Sequence, residues 1–169
     1  PPASARDFVP ERMQLVSIAV GEIAPDFTLS THLGEEIVLS ELVADKPVVL
    51  VFFPLAFSGI CTTELCELRD NLALFEGESV QVVGISVDSS FTQRAWAEAE
   101  GYDFPILSDF WPHGAVAQQF GVFIEEAGIA KRGTFLIDQD RVVRAAFVKE
   151  PGEARDFAAY TEALALVAA

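Results

Sequence analysis

One apolar stretch constrains this chain more than any other part of its sequence. Residues 48–53, VVLVFF, form an unbroken apolar run rich in β-branched and aromatic side chains. Such a run is typical of a strand buried on both faces of a sheet. Pro54 ends the strand because proline has no N–H group to donate to a sheet ladder. After a short loop, apolar side chains recur at helical spacing to Phe75, which predicts a helix with Cys61 near its first turn.

The expected position of Cys61 favours a reactive sulfur. Unpaired backbone N–H groups and the positive end of the helix dipole lie at a helix N-terminus. Both favour the thiolate, the nucleophilic form of cysteine, over the thiol. Ser58 is a suitable N-cap residue, which places Cys61 at the third helical position and the Ser58 hydroxyl close to the sulfur. A buried cysteine by itself is usually inert, so the interpretation of Cys61 depends on its neighbours.

The rest of the sequence predicts alternating strands and helices. Strands are expected at residues 25–29, 36–39, 80–87, 104–107, 133–138 and 142–148, and helices at 41–44, 90–100, 116–120 and 157–167. The first two strands form a hairpin, and so do the last two. Ser40 is expected to cap the first short helix. Pro105 is expected to place its strand at a sheet edge or to make its pairing irregular. The pattern predicts an α/β protein with a thioredoxin-like fold, in which helices cover both faces of a central, largely parallel sheet with antiparallel additions.

Composition and charge exclude several classes of protein. Eleven basic and 26 acidic residues give a formal net charge of −15, which makes nucleic acid and anionic membranes poor partners. The apolar run around residues 47–57 is shorter than the ~20 residues that span a bilayer. Residues 1–12 lack the apolar core of a secretory signal. We therefore expect a cytoplasmic protein with one domain over residues 13–169 and a flexible extension over residues 1–12.

The two cysteines, Cys61 and Cys66, are too few for a disulfide framework. His32 and His113 lie far from them in sequence and complete no metal-ligand spacing. We therefore expect neither a metal nor another cofactor.

Several segments carry a resemblance to a known family. The spacing of Pro54, Ser58 and Cys61 resembles the active-site motif of the peroxiredoxins, Pro-x-x-x-Thr/Ser-x-x-Cys, and residues 24–29, APDFTL, fit the same family. Three longer segments are similar to the alkyl hydroperoxide reductase E subfamily, namely residues 53–61, 107–116 and 128–135. The four-residue gap between Cys61 and Cys66 is instead similar to the bacterioferritin-comigratory, or Q-type, peroxiredoxins.

The resemblance implies a thiol peroxidase that reduces hydrogen peroxide and organic hydroperoxides with the Cys61 thiolate. Ser58 would donate a hydrogen bond to the thiolate or the peroxide, and Pro54 would shield the site from water. Arg132, which leads into the segment RGTFLID, would complete the site with a fixed positive charge. The implied partners are a hydroperoxide, a thiol reductant of the thioredoxin, mycoredoxin or glutaredoxin type, and a second copy of the chain.

Two alternatives stay open for Cys66: it resolves a sulfenic acid formed on Cys61, or it packs inertly. On an ideal helix, residues five positions apart have Cα atoms ~8–9 Å apart, beyond the ~7 Å that a disulfide allows. Resolution would therefore require the first helical turns to unwind. Gly59, Thr62 and Thr63 are weak helix formers and permit this.

Two other functions compete with a peroxidase. A thiol–disulfide oxidoreductase is disfavoured because that chemistry usually has a Cys-x-x-Cys spacing. A non-enzymatic redox sensor, whose disulfide switches binding to a partner, fits the unwinding argument equally well. Residues 109–114 and 123–132 are expected to be irregular loops that line a site. In the first loop, Trp111, Pro112 and His113 either line a pocket or an interface, or pack on the core. Glu64, one turn past Cys61, either tunes that cysteine or is simply solvated.

Overall fold

Residues 17–167, the part of the chain that the computed structural model describes, form nine strands and six helices. The expected extension over residues 1–12 lies outside this part. The strands are β1 (Thr28–Thr31), β2 (Glu36–Val38), β3 (Val48–Phe52), β4 (Gln81–Ser86), β5 (Ile106–Ser108), β6 (Phe123–Ile124), β7 (Ile129–Ala130), β8 (Arg132–Ile137) and β9 (Val143–Lys149). The helices are α1 (Leu39–Asp45), α2 (Gly59–Asp70), α3 (Leu72–Gly77), α4 (Ser90–Glu100), α5 (Ala115–Gln119) and α6 (Phe157–Ala165).

Seven of these strands form one mixed sheet in the order β2-β1-β5-β4-β3-β8-β9. Strand β4 pairs in parallel with β3 and β5, whereas the other four pairings are antiparallel. The mixed thioredoxin-like sheet and the N-terminal hairpin are confirmed, but the expectation of a largely parallel sheet is wrong. The N-terminal hairpin does not stand apart: it joins the sheet through β5 and adds two antiparallel pairings.

Strand β3 lies at the centre of the core, as its apolar run predicts. All five of its residues are buried. Val48, Leu50 and Phe52 belong to one apolar cluster, and the alternate side chains belong to a second cluster on the other face of the sheet. That second cluster contains the buried side of α2, including Leu65 and Leu68. Because successive strand residues point to opposite faces, one short segment holds both layers of helices against the sheet.

The long helix expected after Cys61 is interrupted. Helix α2 ends at Asp70, and α3 starts at Leu72. The side-chain amide of Asn71 donates a hydrogen bond to the carbonyl oxygen of Glu67, at 2.8 Å. Asparagine side chains compete for backbone groups in this way, which explains the break.

Two further local predictions are wrong. Ser40 lies inside α1, where its N–H group donates to Asp26 Oδ1, and Val38 takes the N-cap position. Pro105 precedes β5 instead of lying in it, and its carbonyl oxygen accepts a hydrogen bond from Gly84. Strand β5 is therefore free to pair on both sides and is not at the sheet edge.

No helix among residues 17–167 has both the length and the apolar character needed to cross a lipid bilayer.

Gly114 offers a test of the packing between α5 and the short β6–β7 hairpin. Its φ angle is +71°, and a methyl group at this position would overlap the ring of Phe123. We expect Gly114→Ala to lower the free energy of unfolding by about 2–4 kcal/mol, from overpacking and an unfavourable backbone conformation. Urea denaturation measures the change. Gly152→Ala is the matched control, since a Cβ atom there meets open space; equal effects of the two substitutions would contradict the packing argument.

Candidate active site

The loop before α2 is held by hydrogen bonds to its backbone. Pro54 is buried just after β3, as its place in the motif requires. The N–H group of Ala56 donates to Asp88 Oδ2 at 2.8 Å. Phe57 has a φ angle of +65°, which is uncommon for a residue with a side chain. These constraints turn the chain sharply from the buried strand into the first turn of α2.

Ser58 occupies the N-cap position, as predicted, but its hydroxyl group does not cap the helix. The hydroxyl donates to the carbonyl oxygen of Leu55 at 2.8 Å and makes no cap hydrogen bond. The carbonyl oxygen of Ser58 accepts both the N–H and the hydroxyl of Thr62. In this state the loop carbonyl, and not a backbone N–H group of α2, therefore binds the Ser58 hydroxyl.

Cys61 is the third residue of α2, as predicted, and its side chain is 0% exposed. Arg132 Nη1 donates a hydrogen bond to Cys61 Sγ at 3.2 Å. The sheet explains this contact between residues far apart in sequence. Strand β8 pairs with β3 up to Val51 and Thr134, so Arg132 lies just beyond the end of β3, where α2 begins. The structure thus brings together the cysteine and the arginine that the sequence indicated.

Glu64 lies in the same buried cluster, so of its two alternatives the solvated position is wrong. Its Oε1 atom accepts a hydrogen bond from Arg132 Nη1. Its Oε2 atom accepts from the backbone N–H and from Nη1 of Arg155, both at 3.0 Å. Arg132 is held further by its Nε atom, which donates to the carbonyl oxygen of Pro151 at 2.9 Å. Glu64 therefore holds two guanidinium groups, and that of Arg132 contacts the sulfur.

Arg155 is a site residue that the sequence analysis missed. It lies between β9 and α6, and its Nη2 atom donates to the carbonyl oxygens of Phe52 and Gly133. No motif marks this arginine in the sequence, and only the packing of its loop against β3 and β8 reveals it. The sequence itself indicates Glu64, because this residue lies one turn past Cys61 on the same helix.

The cluster that contacts Cys61 has one more positive charge than negative charges. Arg132 and Arg155 contribute two positive charges, and Glu64 contributes one negative charge. All three side chains are almost fully buried, where an unbalanced charge is costly. A negative sulfur would balance the cluster, and it would receive a charge-assisted hydrogen bond from Arg132.

Cys66 lies on the same helix but contacts a different set of groups. Its Sγ atom donates to Glu100 Oε2 at 3.5 Å and lies 3.6 Å from the hydroxyl oxygen of Tyr102. Both cysteines are free thiols. Burial is the largest influence on Tyr102, and the contact with Cys66 adds to it; together they raise the pKa of the phenol far above its usual range, so that Tyr102 keeps its proton.

The two loops that were expected to line the site contact each other. His113 Nε2 lies 2.7 Å from the carbonyl oxygen of Gly128. The segment 123–132 is not irregular, because it contains the β6–β7 hairpin, and its last residue, Arg132, reaches Cys61. Trp111 is 80% exposed, which rules out packing of its side chain in the core.

A cysteine buried at the start of a helix beside an arginine, on a mixed thioredoxin-like sheet, defines a class of thiol-dependent redox proteins. Comparison with known proteins agrees. Residues 20–146 match the AhpC/TSA family. Alkyl hydroperoxide reductase E of Mycobacterium tuberculosis is 51% identical over 150 residues, which cover 89% of this chain and 98% of that protein. A putative peroxiredoxin of the same organism is 41% identical over 126 residues, or 73% of this chain and 80% of its own length.

Solved structures give the same result. The peroxidoxin BcpB from Mycobacterium tuberculosis matches with a TM-score of 0.77 and 38% sequence identity, over 88% of this chain and 95% of that one. The AhpC of Enterococcus faecalis matches with a TM-score of 0.78 and 28% identity, over 86% of this chain and 90% of its own. The chain therefore belongs to the AhpC/TSA family, and it is a peroxiredoxin.

The buried carboxylate of Glu64 gives a test of the charge cluster. We expect Glu64→Gln to lower the free energy of unfolding by about 3–5 kcal/mol, because the substitution leaves two guanidinium groups buried without their anion. Chemical denaturation in urea measures this change. Glu67→Gln, at an exposed position of the same helix, should leave the free energy of unfolding within about 0.5 kcal/mol of the unaltered protein. A small effect of Glu64→Gln would show that the cluster does not depend on this carboxylate.

Proposed function

We propose that this peroxiredoxin reduces hydrogen peroxide and small organic hydroperoxides with Cys61 as the attacking residue. This proposal rests on the hydrogen bond from Arg132 Nη1 to Cys61 Sγ. The bond lies in a buried cluster that has one more positive charge than negative charges. The thiolate attacks one peroxide oxygen, the O–O bond breaks, and Cys61 becomes a sulfenic acid. The departing oxygen takes up a proton and leaves as water or an alcohol. The guanidinium of Arg132 would stabilise the negative charge as it moves from sulfur to oxygen.

Pro54 and Ser58 complete the proposed site. Pro54 is buried directly before the loop that leads to Cys61 and would limit the access of water to the sulfur. The Ser58 hydroxyl would turn from the Leu55 carbonyl to the bound peroxide, which requires rotation about one side-chain bond. Its position at the N-cap of α2 is compatible with this role.

We assign Cys66 the role of resolving residue. Both cysteines lie on the intact helix α2, where five residues of separation hold their Cα atoms beyond disulfide distance. The first turn must therefore unwind after oxidation. Gly59 is exposed there, and the hydroxyls of Thr62 and Thr63 bond back to carbonyl oxygens of the preceding turn, which weakens a helix. The product would be a Cys61–Cys66 disulfide and water, and an external thiol would then reduce the disulfide.

We also propose a reductant, an oligomeric state and a cellular location for this protein. The reductant would be a thiol protein of the thioredoxin, mycoredoxin or glutaredoxin type, and the enzyme would act as a single domain in a homodimer. Two free cysteines are typical of a reducing compartment, which supports a cytoplasmic location. The 51% sequence identity to mycobacterial alkyl hydroperoxide reductase E supports a hydroperoxide as substrate.

Substitution of each cysteine separates the two proposed roles. Cys61→Ser should abolish peroxide consumption, since the hydroxyl of serine is a far weaker nucleophile. Cys66→Ser should still consume one equivalent of peroxide and hold one added oxygen. Mass determination after one equivalent of hydrogen peroxide, with free thiols trapped, measures both results. Activity in Cys61→Ser would disprove the mechanism, and oxidation without catalytic turnover in the presence of reductant would indicate a redox sensor instead.

The role of Arg132 predicts a slower first step. We expect Arg132→Lys to lower the rate of Cys61 oxidation by about 10²-fold, because lysine keeps the charge but loses the planar fork that holds sulfur, Glu64 and Pro151 together. Rapid mixing with peroxide measures the rate. Arg144→Lys makes the same change at a half-exposed arginine that pairs with Asp138, and it should react like the unaltered protein. Similar rates for both variants would argue against a role for Arg132.

A further inference from the structure

The two sulfurs of helix α2 face groups of opposite charge. Cys61 accepts a hydrogen bond from the guanidinium of Arg132, whereas Cys66 donates one to the carboxylate of Glu100. When Cys66 attacks the sulfenic acid, its thiol must lose a proton, and this proton needs an acceptor. Glu100 is in hydrogen-bond contact with that proton in the folded helix.

The end of helix α4 places Glu100 and Tyr102 beside Cys66. Glu100 is the last residue of α4, Gly101 reverses the chain with a φ angle of +70°, and Tyr102 returns towards α2. A carboxylate at this point lies at the negative end of the helix dipole, which is unfavourable for the helix. Arg69 Nη1 donates to the carbonyl oxygen of Glu100 and anchors this end of α4 to α2. Helix stability therefore does not explain the presence of an acid at this position.

The contacts also indicate which cysteine moves during resolution. Cys66 lies among residues anchored in the core, because Leu65 and Leu68 on either side of it are 0% exposed. Cys61 lies in the first turn, where the helix is weakest. The Tyr102 hydroxyl spans both regions, since it donates to the Thr62 carbonyl oxygen at 3.4 Å and lies 3.6 Å from Cys66 Sγ. Unwinding of the first turn would bring Cys61 to Cys66 and free the hydroxyl to donate to the Cys66 sulfur.

We propose that Glu100 accepts the proton of the Cys66 thiol in the resolving step and that Tyr102 donates a hydrogen bond to the resulting negative sulfur. This inference rests on the resolving role proposed for Cys66. Cys66 Sγ attacks the sulfenic sulfur of Cys61, the S–S bond forms and the S–O bond breaks. The thiol proton passes to Glu100 Oε2 and then to solvent, and the departing hydroxide takes a proton from solvent to leave as water. Cys66 is oxidised as the sulfenic sulfur is reduced, so no other redox partner is needed.

The state of Tyr102 supports this division of roles. Its buried phenol keeps its proton, so that it can donate but has no charge that could repel a thiolate. Its ring is fixed by a T-shaped contact with Trp96 and by stacking on Phe104. The donor is thus held in place by packing before the reaction begins.

Two isosteric substitutions on one helix test the role of Glu100. Glu100→Gln removes the proton acceptor, whereas Glu98→Gln removes the same charge two residues earlier, from a side chain that is 67% exposed and pairs with Arg94. Each full-length reduced protein is mixed with one equivalent of hydrogen peroxide and quenched at set times. Its mass is then determined by mass spectrometry. We expect the gain of one oxygen to proceed alike in all three proteins. The later loss of water marks formation of the disulfide. This step should be about 10–100-fold slower in Glu100→Gln at pH 7, and its rate should be unchanged in Glu98→Gln.

The pH profile separates proton transfer from a purely structural effect. With Glu100 as acceptor, the rate of disulfide formation should be nearly constant between pH 6 and 8. In Glu100→Gln it should rise about tenfold per pH unit, because only thiolate produced by solvent can then attack. Tyr102→Phe keeps Glu100 as the proton acceptor. Disulfide formation should therefore slow less than in Glu100→Gln, and its rate should stay nearly constant between pH 6 and 8.

Three outcomes would overturn the inference. The role of Glu100 fails if Glu100→Gln forms the disulfide at the normal rate, if its profile stays flat, or if Glu98→Gln slows the step equally. The outcome for the unaltered protein distinguishes this failure from failure of the proposed function. An added oxygen that is never followed by a disulfide would disprove the resolving role of Cys66 and this inference together. No reaction with peroxide would disprove the peroxidase role of Cys61.

Discussion

The site depends on one buried carboxylate, Glu64, that lies between two guanidinium groups. Removing charged groups from water is costly, and the cost is offset only where each charge has a partner with good hydrogen-bond geometry. Glu64 supplies such a partner to Arg132 and Arg155. The backbone carbonyl groups of Phe52, Gly133 and Pro151 accept further hydrogen bonds from the two guanidinium groups, whereas Arg155 Nε is buried without a hydrogen-bond partner. The cluster has one more positive charge than negative charges, and Cys61 lies where a negative charge would be stabilised.

The sheet makes this convergence possible. Residues from α2, from β8 and from the loop before α6 meet at one end of β3, although they are separated widely along the chain. Strand β3 is buried on both faces, so its position is well determined by packing. A site built at the end of such a strand can hold its groups within narrow limits, which chemistry at a single sulfur requires.

Helix α2 must meet two conflicting structural requirements. Before oxidation its first turn must be intact, because the helix and Arg132 hold Cys61 in place. The resolving role that we propose for Cys66 would require the same turn to open. The helix divides these demands along its length: glycine and threonine residues occupy the first turn, and fully buried leucines hold the part around Cys66. Local unfolding of a weakly held segment costs much less free energy than global unfolding, so both demands can be satisfied.

The sequence alone determined the central strand, the proline that ends it, and the helix that begins two residues before Cys61, because periodicity and backbone chemistry act locally. It also indicated Arg132 through a resemblance, but not the distance to the sulfur. Tertiary structure decided the rest. The join between the N-terminal hairpin and β5, the second arginine at Arg155 and the burial of Glu64 all depend on contacts between distant segments. The direction of the Ser58 hydroxyl depends on a competing carbonyl oxygen, and residue type cannot rank such competitors without their positions in space.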